Sequence, residues 1–343
     1  MVNLSLIYFI SLNNALNSPF LITTADNSRL NMFRCSYFRH FQSINYISEF
    51  PSHFFYSVND SKFRSILNSA IKIKSESQIY QKQSFNHQFE IIDFKQYELT
   101  NSEFHNCKGF KGGAVHSEVN YLTISHCIFS NNSGNYGAAV YAGNIEKGHL
   151  KDSLFTNNYA KNLCAGYFLD SLSNSKNVIL IDSNNFTYQT AVCVGAIECW
   201  GGVPNIKFCF IDHCNSSFGQ PAVRTSTVKK TALLEFVKFS NCSSRQYGAV
   251  FQSFIYYSAA LLKNCIMIDN WCLGESGTTV FIQNTNVKVT LENCIIYGKQ
   301  ERQFGGIKKM EKINLKNTTF IYDPVKDGMK DTPAPTRSPH PKH

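Results

Sequence analysis

Charge is scarce in this chain. Asp, Glu, Lys and Arg make up 17% of its 343 residues, against about a quarter in an ordinary soluble domain. What charge there is, 33 Lys and Arg against 24 Asp and Glu for a net +9, is scattered, with small groups only at Lys229-Lys230 and from Lys308 to Lys312. A nucleic-acid binder concentrates its basic residues on one face, so no nucleic-acid partner is expected. After the first twelve residues, no stretch reaches the roughly 18 uninterrupted apolar residues that a spanning helix needs. The paired Cys and His spacings of zinc modules are missing too. His126-Cys127 and His213-Cys214 are chain neighbours, which face opposite sides of a strand. Neither a metal nor a cofactor is expected.

Asparagine and phenylalanine fill the gap. The chain has 34 Asn and 28 Phe, and 43% of its residues are hydrophobic. Asn is poor in helix interiors and good in turns, whereas Phe favours strands. That mixture argues against an all-helical fold, and the apolar content is too high for a disordered chain.

The Phe residues recur. Strand-like runs end in an apolar anchor at Phe104, Phe129, Phe155, Phe186, Phe210, Phe239, Met267, Ile296 and Phe320, which is 216 residues over eight steps, a mean of 27. Ten to twelve residues after each anchor comes a small one: Ala114, Ala139, Gly166, Ala196, Ala222, Ala249, Thr279 and Gly306. Two residues after the anchor stands a polar turn position, Asn106, Asn131, Asn157, Asp212, Asn241 or Asp269, often followed by another such as Asn132, Asn158 or Asn270. Val287, Val289 and Leu291 alternate with polar neighbours, as a half-buried strand requires. A 27-residue repeat of strand formers with no helical stripe is one coil of a parallel β-solenoid. The Phe residues then stack as a core ladder, the Ala residues form a tight opposite wall, and the Asn residues form stacked turn ladders.

The Phe-x-x-Asn elements (Phe129 to Asn132, Phe155 to Asn158) and Gly112-Gly113-Ala114-Val115 resemble the repeats of the polymorphic membrane protein family, known from chlamydial autotransporters and trichomonad surface proteins. The resemblance covers residues 97–322. It implies a right-handed parallel β-helix, pectin-lyase-like in architecture, displayed outside the cell and linked to adhesion. Here that means about 8–10 coils, with host-cell or extracellular glycans or proteins as partners. Unlike the autotransporters, the repeats are followed by no barrel.

Outside the repeats, residues 4–12 are apolar and suit a signal-peptide core within residues 1–18. The run lacks a basic flank, and the alternative is a first strand. Residues 19–96 read as irregular coils and a cap. Within them Phe63, Ile66, Leu67, Ala70 and Ile71 have helical spacing and Asp60 is placed to cap them, so a short helix is expected over residues 60–71. Residues 323–343 form a Pro-rich stalk. Sequons at Asn3, Asn59, Asn131, Asn185, Asn215, Asn241 and Asn317, together with 12 Cys, point to export.

Cys at repeated positions reads as a ladder of small core residues. Cys265 and Cys294 fall in consecutive coils with Cα atoms about 5 Å apart, within disulfide reach. Cys193/Cys199 and Cys209/Cys214 are the alternative pairs. Because many β-helices degrade polysaccharides, a carbohydrate-active enzyme is the competing reading. It requires paired carboxylates roughly 5 to 9.5 Å apart, or carboxylates on Ca²⁺. Asp212 and Asp269 occupy the Asn turn slot, so their expected role is turn bonding, and no catalytic residue is assigned. The two Trp, Trp200 and Trp271, are expected in loops. The reading is a secreted or cell-surface, non-enzymatic scaffold.

Overall fold

The computed structural model describes residues 3–8, 11–13, 28–38, 45–47, 53–73, 94–171, 178–219, 222–226, 231–253, 259–273, 279–282, 287–298, 300–306 and 312–322. It is a parallel β-solenoid. Two sheets are twelve strands deep: sheet A runs from Asn3–Tyr8 to Ile313–Lys316, and sheet B from Ser11–Asn13 to Thr319–Ile321. Sheet C stacks ten strands between Asn45–Ile47 and Phe304–Gly306, and sheet D six short ones from Ser133–Gly134 to Trp271–Cys272. This is the all-β parallel solenoid the repeat predicts, and sheets A and B extend it with strands that precede residue 97. One coil shows the plan: Tyr121–Ser125 in A, Ile128–Ser130 in B, Ser133–Gly134 in D and Val140–Gly143 in C. The described helix is one turn, Gln300–Gln303. The Pro-rich stalk lies outside the described residues.

Two corners of each coil flank the B strand, and both use left-handed backbone. The first runs through Asn101, His126, Asp152 and Ser183, the second through Asn106, Asn131, Asn157 and Tyr188, all with φ between 46° and 55°. Non-glycine residues rarely adopt this region, and Asn and Asp pay least for it. Each such corner amide then donates to the next coil, as His126 does to the Lys151 carbonyl at 3.1 Å.

Inside, like stacks on like. Tyr37, Phe63, Phe104, Phe129, Phe155 and Phe186 form one aromatic column with ring centroids 4.6 to 5.2 Å apart. It continues through Ile211 to Phe239 and Met267. Phe210 is therefore not in the column. It lies one residue outward, half-buried, with the Lys238 ammonium 5.2 Å from its ring. Asp212 leaves the turn slot with it, and His213 takes the left-handed corner. The wall opposite runs through Ala114, Ala139, Gly166, Ala196 and Ala222, and then Val250, because Phe251 rather than Val250 pairs with Val223. Ala249 stands one residue before the wall, and Gln303 fills the place expected of Gly306. The Gly of the Gly-Ala-Val motif is steric: Gly137 has φ 58°, and a Cβ there would lie 2.3 Å from the Val140 carbonyl oxygen.

The helix expected over residues 60–71 is absent. Lys62–Arg64 is a strand with Phe63 in the aromatic column, Asp60 is a left-handed corner, and Ala70 and Ile71 belong to the wall. Inward positions of a short coil fall three to four residues apart, which mimics a helical stripe. The N-terminal apolar run contributes Asn3–Tyr8, paired in parallel with Ser28–Phe33.

Two polar ladders line the inner corners. Asn132 Nδ2 donates to Asn158 Oδ1 at 3.0 Å, and Asn158 Nδ2 to Gln189 Oε1 at 3.1 Å. Cys107, Cys214 and Cys242 occupy the same position in other coils. At the other corner Cys35, Ser61, Ser102, Cys127, Ser153, Asn184, Cys209, Cys265 and Cys294 share a slot, interrupted by Val237 between Cys209 and Cys265. Their side chains cap carbonyls, as Cys127 Sγ does for Leu99 at 3.6 Å. Outside, sheet A carries a charge ladder of alternating sign, Lys151, Asp182, Lys207, Glu235, Lys263, Glu292 and Lys316. Its tightest pair is Lys207–Glu235 at 2.9 Å.

Phe155 stacks at 4.7 Å on one side and 4.6 Å on the other. Phe155→Ala is expected to cost about 3–5 kcal/mol, and Asn158→Ala about 1–3 kcal/mol for the unmatched ladder groups. Guanidinium denaturation midpoints measure both, and a Phe155→Ala cost below that for Asn158→Ala would refute the ring column as the main support.

Candidate functional site

Sheet C differs from sheets A and B: its outward face is buried as well as its inward one. His116, Tyr141, Phe168, Glu198, Arg224, Gln252 and Phe281 follow one another in register on that face, each no more than 8% exposed. Each stands one residue after an inward core residue, as Glu198 after Ile197 and Arg224 after Val223, so the strand pleat turns it away from the core. Tyr136, Leu163, Cys193 and Trp200 pack against this face.

The lane is polar and continuous. His116 Nε2 lies 3.0 Å from Glu118 Oε1. Tyr141 OH donates to Asp170 Oδ2 at 2.9 Å and accepts from Lys111 Nζ at 3.0 Å, and the same ammonium sits 4.4 Å from the Tyr141 ring centroid. Tyr141 stacks on Phe168, whose edge meets Trp200 at 5.4 Å. Trp200 Nε1 donates to Glu198 Oε1 at 2.7 Å, and Arg224 Nη1 reaches the same oxygen at 3.2 Å. Glu198 Oε2 is buried without a hydrogen-bond partner.

Burial decides the protonation here. It pushes the Glu198 carboxyl up to about 7 despite the Arg224 charge, because removing a carboxylate from water outweighs one shared partner. The proton would sit on the unmatched Oε2. Burial likewise holds His116 below its ordinary value, with Glu118 opposing. Burial, reinforced by Glu198, raises the Cys164 and Cys193 thiols.

Glu118 and Asp170 also share a column, with Gly143 between them. A Cβ at Gly143 would lie 3.1 Å from both Glu118 Cγ and Tyr141 Cε1, so the glycine lets these side chains close over it, between two carboxylate residues about 10 Å apart along the axis. Among the described residues, no group of three His, Cys, Asp or Glu is placed to hold a metal, and no helix is long and apolar enough to cross a membrane.

The residues singled out from sequence lie elsewhere. Asp212 accepts from Ser240 Oγ at 2.6 Å and Asn241 Nδ2 at 3.2 Å and contacts His213 Nδ1 at 2.6 Å. Although partial burial opposes it, these partners hold its carboxyl below the usual range. Asp269 is a left-handed corner, in a different column. Trp200 and Trp271 are in strands rather than loops. Of the sequon asparagines, Asn131, Asn185 and Asn317 are exposed and Asn59, Asn215 and Asn241 half-buried; Asn3 has no described side chain. Cys265 and Cys294 are both thiols in this structure. A hydrogen bond between them lowers Cys294 and raises Cys265.

Glu198 holds its proton to about pH 7 when folded, whereas its ordinary value is 4.5. Between those values the unfolded chain has lost a proton that the folded chain keeps. This group's contribution is therefore complete below pH 4.5 and is lost as pH rises toward 7. His116, depressed when folded, acts oppositely, weakening the fold as pH falls below its ordinary 6.5. Glu198→Gln removes only the first effect. Relative to the parent, its stability in urea is expected to improve by up to about 3 kcal/mol from pH 4.5 to 7.5; a pH-independent difference would refute the assignment.

No protein-family model, no curated protein and no solved structure matches this chain.

Proposed function

We propose that the chain is a non-enzymatic β-helix scaffold of the polymorphic-membrane-protein type, secreted or held at the cell surface, that displays binding surfaces for adhesion. The observation that carries this reading is the placement of aromatic residues at outer corners. Phe208 and Phe236 occupy left-handed corners where neighbouring coils use Ser183 and Asn264. They are 57% and 47% exposed and stack on each other at 5.2 Å, 3° from parallel. Tyr188 does the same at the second corner, 48% exposed and stacked on His213 at 4.7 Å. A bulky ring in solvent and in left-handed backbone gives the fold little in return for its cost. Exposed aromatic clusters of this kind are what recognition surfaces use.

Export, a cleaved leader and glycosylation belong to the same proposal. Exposed Asn131, Asn185 and Asn317 support it, and Cys265–Cys294 is the pair it would oxidise. In a glycosylating secretory host, Asn131→Gln and Asn185→Gln are each expected to remove one peptide-N-glycosidase-sensitive mass step. Secretion without any such step would count against export through that route.

The carbohydrate-active alternative has one carboxylate pair to offer, Glu118 and Asp170 on either side of Gly143. Their spacing of about 10 Å along the axis lies just beyond the roughly 9.5 Å limit for an inverting glycosidase. A depolymerisation screen over charged and neutral polysaccharides is expected to show no turnover, while the intact protein binds cells or glycan surfaces. Turnover abolished by both Glu118→Gln and Asp170→Asn would replace the scaffold by the enzyme.

A further inference from the structure

We infer that the corner of the solenoid around Gly109 and Gly134 is a binding site for an acidic saccharide. This deepens the display reading above and rests on it. Lys108, Ser133 and Tyr159 stack in register as one wall of a groove. The other wall is Phe110, Asn135 and Lys161. Its coils are joined by backbone bonds from Asn135 N to the Phe110 carbonyl at 2.9 Å and from Lys161 N to the Gly134 carbonyl at 2.8 Å. Between the walls lies a groove of about 430 Å³.

Its floor includes Gly109 and Gly134. Both are packed closely from the inner side: a Cβ on Gly109 would lie 2.4 Å from Ser69 Oγ, and one on Gly134 would lie 2.9 Å from the Gly109 carbonyl oxygen. In the next two coils the same inward column holds the buried Ala160 and Ala191.

The chemistry of the walls is specific. Phe110 is 62% exposed and is held edge-on against Tyr136 at 5.5 Å; Tyr159 is 48% exposed. The two rings stand on opposite walls two coils apart, about 10 Å along the axis, roughly the span of two linked pyranose rings. Lys108 and Lys161 occupy the other diagonal. Both are exposed, no acidic residue lines the groove, and neither lysine is ion-paired among the described residues. Rings offer flat apolar faces to sugar C–H groups, Ser133 and Asn135 offer hydroxyl partners, and two unpaired ammonium groups call for carboxylate or sulfate. Single-stranded nucleic acid also stacks on rings, but it needs a basic groove running over about four or more nucleotides, and the walls of this groove span only three coils.

The test is titration of the intact protein with four probes: a heparin-derived tetrasaccharide, tetragalacturonate, neutral chitotetraose and a ten-residue oligothymidylate. One of the two acidic sugars is expected to bind, more weakly at higher salt, with chitotetraose at least about tenfold weaker. Which one binds separates a sulfate from a carboxylate ligand. Lys108→Glu with Lys161→Glu, and separately Phe110→Ala with Tyr159→Ala, are each expected to weaken binding about tenfold or more. The altered side chains are exposed, and an unchanged melting temperature controls for folding. Failure of both acidic sugars to bind, equal affinity in the variants, or tighter binding of the oligothymidylate overturns the inference. Undiminished adhesion to cells by the same variants would overturn it while leaving the scaffold reading intact.

Discussion

Every feature of this molecule depends on in-register parallel stacking. Each coil's backbone donors find acceptors in the coils on either side, about 4.8 Å away, so a residue's nearest neighbours are the residues of its own slot in adjacent coils. That condition rewards side chains that pair with copies of themselves. Rings do so by stacking, amides by donating from one end and accepting at the other, and small residues by staying out of the way. Like charges do not, which is why the outer ladder of sheet A alternates from Lys151 through Asp182 to Lys316. Directly opposed like charges would disfavour the register, whereas alternation supports it.

The same condition explains why polar groups can be buried on both sides of sheet C. A carboxylate taken from water costs several kcal/mol unless it is matched, and a solenoid places its match in the adjacent coil. Glu198 and Arg224 occupy one slot in consecutive coils, and Trp200 reaches the same oxygen from two residues along. The match is incomplete, since Oε2 has no partner. Burial raises the Glu198 carboxyl toward neutrality, and the unmatched oxygen is where that proton can sit.

The interior was readable from the sequence because few residue types tolerate self-stacking. Phe129, Phe155, Ala139 and Asn158 therefore announce their slots wherever they recur. Where two adjacent residues both suit a slot, spacing to one anchor does not decide. Phe210 and Ile211 are such a pair, and the choice falls to the corners. With Ile211 in the column, Cys209 and Cys214 stand two before and three after it, as Cys127 and Cys107 do for their own anchors. Residues 60–71 misled for a related reason, since a shortened coil reproduces helical spacing. The outer lane of sheet C was hidden differently. Outward slots carry no self-stacking demand, so His116, Glu198 and Arg224 share a position without sharing a chemistry, and only alignment by slot brings them together.

That freedom is where function can be written on such a fold. An inward slot must fit a closed core as well as the coils on either side, whereas an outward slot on sheets A and B opens to solvent. Surface features are therefore built by local departures: Phe at a corner where the flanking coils have Ser183 and Asn264, Lys on a wall with no acid beside it. Each departure costs little, because the ladder beneath it is unbroken. Beneath the groove at Gly134 the stacked Asn132 and Phe129 just before it keep their partners. A rod of this kind can thus present different chemistry every 4.8 Å or so along its length without altering the packing that holds it together. This favours reading its exposed rings and lysines as selected for contact with something outside the chain.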